Sequence, residues 1–168
     1  VGSDWGIYGI PEPATVILHA GGQRPSISKR VKSEPLNFGN LPALPASWCW
    51  TSAGEIIDML QYGTSVKADS DARSGIPVLR MGNIQEGQLD FGNLKYIDPA
   101  KDDVPKYLLK NDDILINRTN SPELVGKAAI FEGQLACVFA SYLIRLRANP
   151  AIVLPHYLTL VINSEVGR

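Results

Sequence analysis

From Leu41 onward, short apolar runs alternate with polar breaks marked by Gly, Pro, Asn or Asp. "IPVLRM" reads as a strand, with Pro77 pointing to its start or to a sheet edge. "NIQEGQLD" carries Gly87 where a tight turn between strands belongs, and "LKYI" resumes extended structure. "DILINRT" and "KAAIFEGQLACVFASYLIRLRAN" supply further strands. In the last of these, Tyr142, Ile144 and Leu146 alternate with Leu143, Arg145 and Arg147, giving one apolar and one partly basic face. "TSAGEIIDMLQYG" fits either a strand or a short helix capped by Thr51 or Ser52 and stopped by Gly63. "YLLK" is a short helical or extended piece. From Pro155 the period changes, and Tyr157, Leu158, Val161 and Ile162 form the inner stripe of an amphipathic helix. The sum is an α+β class, a β-rich single domain with a few short helices and a C-terminal amphipathic helix.

Residues 1–40 differ. They are rich in Pro, Gly, Ser and Asn, and only "ATVILHA" has apolar density, fitting a short strand or one helical turn. They read as an N-terminal extension or linker, with residues 41–168 as the domain. Arg24, Lys29, Arg30 and Lys32 make either a solvated stretch or a basic arm that touches phosphate. The 168 residues suffice for one domain with its own core. No apolar run has the length of a membrane span, and "VGSDWGIYGI" lacks the basic and apolar regions of a signal peptide, so a cytoplasmic location is expected. Cys49 and Cys137, far apart in sequence, read as two core thiols. A net charge of −1 gives no support to a stand-alone nucleic-acid binder, although a domain inside a larger basic assembly need not itself be basic.

The candidate catalytic constellations are incomplete. Asp112 and Asp113 are strand neighbours that point to opposite faces, so a turn acid before a strand is the simpler reading. Glu55 and Asp58 have no histidine or further carboxylate beside them in sequence, and His19 and His156 stand alone. Ser141 lies in "FASYL", without the glycines of a nucleophile elbow. "HAGGQRP" has neither the trailing Gly nor the Lys of a phosphate-binding loop. The cysteines and histidines lack zinc-ligand spacing. A non-catalytic chain without its own cofactor or metal is the expectation.

Recognition chemistry is more evident. "LRMGNIQ" gathers Arg80, Asn83 and Gln85, and "NRTNSPELVGK" gathers Asn117, Arg118, Thr119, Asn120 and Lys127. Arg presents a fork to guanine, Asn and Gln bond adenine in a bidentate manner, and Thr offers a hydroxyl and a methyl. Lys127 with the Ser121 hydroxyl suits phosphate. Each has a structural alternative, a cross-sheet salt bridge for Arg80 and a turn role for Asn83.

The blocks "LPALPASWCW…GEI", "YGTSVKA", "GIPVLRMGNIQEGQLDFGNLKYI", "DILINRTNSPELVGKAAIF" and "ASYLIRLR", in this order, resemble a target recognition domain of the type I restriction–modification specificity subunit. The resemblance spans roughly residues 41–168. It implies a subunit with two such domains, each reading half of a bipartite site on double-stranded DNA. It implies partner methyltransferase subunits that modify adenine with S-adenosylmethionine, and a restriction and translocase subunit that uses ATP and Mg. It also implies that Arg80, Asn83, Asn117, Arg118, Thr119, Asn120 and Lys127 contact DNA, with Lys67, Arg73 and the 98–110 loop as a second tier. The family pattern has Glu-Gly where this chain has Ala46 and Ser47, Leu at Ala53, and Gly at Asp112. No long heptad-patterned helix and no second recognition domain occur in these 168 residues, so a fragment of a longer two-domain subunit is expected. The competing expectation is a non-catalytic module that docks partner subunits without reading DNA.

Overall fold

The computed structural model describes residues 15–19 (backbone only), 43–69, 75–100, 104–118, 123–165 and 167. At its centre is a four-stranded antiparallel sheet in the order β3-β11-β8-β9, formed by Ile57–Tyr62, Leu143–Ala148, Asp113–Asn117 and Ala128–Ile130. β11 is central, with Ile144 level with Tyr62 on one side and Ile116 on the other. A three-stranded sheet lies beside it: β10 (Val138–Phe139) runs parallel to β4 (Ile76–Leu79), and β7 (Lys95–Ile97) antiparallel to it. β10 reaches only Val78 and Leu79, so the N–H that Pro77 lacks falls beyond that ladder and the proline is tolerated in a middle strand.

β5 (Ile84–Gln85) and β6 (Gln88–Leu89) form the hairpin expected at Gly87. Its two central residues, Glu86 and Gly87, have φ of 50° and 82°, the left-handed pair that a type I′ turn demands. "TSAGEIIDMLQY" divides between both readings of it. β2 (Trp48–Ser52) passes into the one-turn α1 (Ala53–Ile56) and then into β3. "ATVILH" contributes β1 (Thr15–His19), antiparallel to β2. "YLLK" begins in the short α2 (Val104–Tyr107).

Both faces of the central sheet are covered. Ile114 and Leu146 point to one face, where Ile56, Ala128, Val153 and Leu158 close the core under α3 (Pro155–Asn163). Leu115, Ala129 and Leu143 point to the other, against Leu79, Ile84, Phe131 and Phe139. Pro155 opens α3, where its missing N–H costs nothing. At the far end of α3, the Asn163 side chain behaves like an added strand residue. It accepts from Ala128 N–H at 3.0 Å and donates to Ala128 C=O at 2.9 Å, satisfying the outer edge of β9.

The basic face of β11 turns inward. Asp113 is wholly buried and meets Arg147 through two bonds of 2.7 and 2.9 Å, with Arg145 at 3.5 Å and Lys110 N–H at 2.9 Å. Arg145 also donates to the carbonyls of Leu108 and Lys106 and to Gln61 Oε1. A carboxylate between two arginines thus binds the segment after α2 to the middle of the sheet. The turn-acid reading of Asp113 gives way to that of a buried ionic anchor. Burial lowers the Arg145 pKa, and the Asp113 charge partly opposes the shift. Asp112, at the family's glycine position, has φ 69° and sits in the left-handed region.

Candidate nucleic-acid interface

The sequence candidates separate into frame and surface. Asn83 is buried beneath the 3₁₀ turn Met81–Asn83. Its Oδ1 accepts from Arg80 N–H at 2.9 Å and its Nδ2 donates to Asp90 C=O at 2.8 Å. Asn117, at the end of β8, is buried as well, and its Nδ2 donates to Leu124 C=O at 3.0 Å. Its backbone clamps the returning chain, with Asn117 N–H on Lys127 C=O at 2.9 Å and Gly126 N–H on Asn117 C=O at 2.8 Å. Gly126, at φ 81°, makes that return. Both amides face inward and bond the protein's own loops, so the expectation that they read bases is corrected: they hold the frame. Burial decided their role, because an interior amide must pair with nearby backbone.

Arg118 is placed differently. It is exposed at the first position beyond β8. Its N–H bonds Tyr142 C=O at 3.2 Å and its Nε bonds Ser141 C=O at 3.2 Å. The guanidinium lies 4.6 Å from the centroid of the Tyr62 ring. Its Nη nitrogens meet no hydrogen-bond partner among the described residues. Arg80 is half-buried and donates through Nη2 to Asn93 C=O at 3.0 Å, while its Nε is enclosed without a partner. Arg80 also acts on Tyr142: burial lifts the Tyr142 phenol above its ordinary pKa, and the Arg80 charge opposes the rise. Arg118 thus bonds the Ser141–Tyr142 turn directly, whereas Arg80 reaches Tyr142 only through its charge.

Gln85 is exposed on the β5–β6 hairpin, with Nε2 on Gly82 C=O at 2.8 Å. Lys127 is half-buried beside the return to β9. Lys67 is exposed. Thr119, Asn120, Ser121 and Arg73 lie outside the described residues, as do 101–103 of the 98–110 loop. In the rest of that loop, Lys106 and Lys110 are exposed. Among the described residues, no group of three His, Cys, Asp or Glu side chains is placed to hold a metal, and no helix is long and apolar enough to cross a membrane.

Tyr62 escaped the sequence reading. Its signal was a large aromatic just before Gly63, at the end of a stretch whose alternation was blurred by the helical turn α1. Gly63 explains the geometry. A Cβ there would lie 2.1 Å from Phe139 C=O and 2.5 Å from Ala140 C=O, so only glycine lets the chain pass so close. That approach fixes the end of β3 against the segment leading into the Ser141–Tyr142 turn.

A β-rich domain with short helices and polar, arginine-bearing strand ends has counterparts among known proteins. No family model matches the sequence. The chain is 30% identical over 129 residues to a protein of Methanocaldococcus jannaschii assigned as the MjaX type I restriction enzyme specificity subunit, covering 76% of this chain and 30% of that protein. It is 32% identical over 96 residues to the StySPI type I specificity subunit of Salmonella potsdam, covering 55% of this chain and 20% of the relative. It is 25% identical over 116 residues to the EcoKI specificity subunit of Escherichia coli, covering 67% and 25%. Among solved structures, the HsdS subunit from Thermoanaerobacter tengcongensis matches with a TM-score of 0.53 at 20% identity, over 74% of this chain and 29% of that one. A chain from a study of complex assembly in the type I R-M system matches at 0.54, with 19% identity and the same coverage. The fold is that of a target recognition domain. The chain's curated homologues are type I restriction enzyme specificity subunits, and it spans less than a third of the length of these relatives.

Proposed function

We propose that residues 41–168 form one target recognition domain that reads half of a bipartite site on double-stranded DNA. In this reading the chain catalyses nothing. It directs methyltransferase subunits, which carry S-adenosylmethionine and modify adenine, and through them a restriction and translocase subunit that uses ATP and Mg. The observation that carries the proposal is Arg118: an exposed guanidinium, fixed by Ser141 and Tyr62, with its Nη edge open to the surface. A fork held in this way is suited to guanine O6 and N7 in the major groove. Gln85, Lys67, Lys127 and Arg80 supply further polar and basic groups for bases and phosphates, together with Thr119, Asn120 and Arg73 of the undescribed segments.

The test is enrichment of a random-sequence duplex pool by the purified chain at low salt. Recovery of a short, reproducible half-site supports DNA reading. A module that only docks partner subunits enriches no sequence at any salt concentration, and that outcome removes the proposal.

A further inference from the structure

Arg118 differs from an ordinary surface arginine in how many constraints converge on it. The constraints begin at Gly63. Its close approach to Phe139 and Ala140 is reinforced by Thr64 N–H on Phe139 C=O at 2.9 Å and Ser141 N–H on Thr64 C=O at 2.8 Å. The end of β3 is therefore tied by backbone to the Ser141–Tyr142 turn. Arg118 is tied to the same turn from the β8 side, through its own N–H and through Nε. Tyr62 ends β3 and Arg118 follows β8, two strands separated only by β11, and both backbone segments are fixed to one turn. Their side chains meet across it, the guanidinium 4.6 Å from the ring centroid.

This arrangement has an energetic cost without a visible structural return. Tyr62 is 59% exposed, which is unusual for a large aromatic at the edge of a sheet. A cation–π contact at such an exposed site is worth little to folding. Its effect is on Arg118, whose long side chain would otherwise sample many rotamers. With Nε bonded to Ser141 and the guanidinium against the ring, the group is held in place, and its Nη nitrogens have no hydrogen-bond partner among the described residues. Fixing a reading group before it binds reduces the entropy lost on binding.

We infer that Tyr62 is a positioning residue for base reading: it sets the plane of Arg118, and the pair acts as one guanine-reading unit. This rests on the DNA-reading proposal above. Substitution of Tyr62 affects the preference at one base position, the position Arg118 contacts, and leaves the rest of the half-site unchanged. The aromatic face is what matters, so Phe serves in its place. A β-branched aliphatic residue keeps the strand but loses the effect.

The experiment compares the 168-residue chain with Tyr62→Phe, Tyr62→Ile and Arg118→Ala in random-duplex selection, with NMR of the Arg118 side chain in the free proteins. The expected result has three parts. Wild type and Tyr62→Phe share a half-site containing a guanine, and their Arg118 side-chain protons show the upfield ring-current shift. Tyr62→Ile and Arg118→Ala lose preference at that same guanine and nowhere else. Tyr62→Ile weakens binding to the selected duplex by about two- to fivefold. If Tyr62→Ile keeps the wild-type guanine preference while Arg118→Ala loses it, the positioning role is overturned and DNA reading survives. If wild type selects no half-site, both are overturned together.

Discussion

At the level of single residues, the decisive distinction lies between two asparagines that frame, Asn83 and Asn117, and one arginine that is exposed, Arg118. Asn83 and Asn117 are buried with their amides on backbone carbonyls, so removing either amide breaks a bond that holds a loop to the sheet end. Asn83→Ala and Asn117→Ala should each lower the unfolding free energy by about 1–3 kcal/mol, measured by urea denaturation. Sequence alone could not separate them from Arg118. All three are polar residues at strand ends, and the residue types that read bases are also those that cap turns. Chain direction offered one clue: Asn117 is the last residue of β8 and shares the inward face of Asp113 and Leu115, whereas Arg118 is already beyond the strand. Cys137 matches the expected core thiol. Burial lifts its pKa from 9.0 to about 12, so the folded state keeps a proton that the unfolded state releases. The resulting stability is complete below pH 9 and is lost as pH rises toward 12. Urea midpoints should therefore fall through this alkaline range, less steeply in Cys137→Ala. At pH 8 the Cys137 thiol should react with a disulfide reagent only after unfolding.

Secondary-structure elements were legible where one period ran unbroken. The Gly87 hairpin, β4, β8 and the Pro155 helix all follow from local pattern and turn chemistry. "TSAGEIIDMLQY" was ambiguous because it changes period within twelve residues, from strand to one helical turn and back. The alternation in β11 identified a basic face, but not the buried carboxylate that receives it. That carboxylate belongs to Asp113, thirty-odd residues away in sequence and directly across the ladder from Arg147. No local signal connects such partners; only the register does. The ionic anchor predicts an asymmetric response. Asp113→Ala leaves Arg145 buried without its counter-charge and frees the segment after α2. The substitution should cost about 3–5 kcal/mol. Hydrogen exchange should locate the loosening at the amides of residues 108–113, whereas α3 keeps its protection.

Across the whole molecule, the near-neutral charge and the DNA-reading proposal fit together if affinity belongs to an assembly and selectivity to this domain. A chain of net charge −1 neutralises few phosphates, so its isolated binding should be weak and lost steeply with salt. The central sheet serves as a rigid mount. Helix α3 covers one face, and the second core with the Asp113 network fills the other, so the Arg118 end of β8 has a fixed position relative to β3 and β11. The most direct measurement is paired, using wild type and Arg118→Ala: titration with a duplex carrying the selected half-site, and urea unfolding of the same two proteins. Arg118→Ala is expected to weaken binding to that duplex by about 5- to 150-fold, while the unfolding free energy stays within about 0.5 kcal/mol of wild type. Unchanged binding would rule out base reading by Arg118, and a variant that loses its fold would make Arg118 part of the frame.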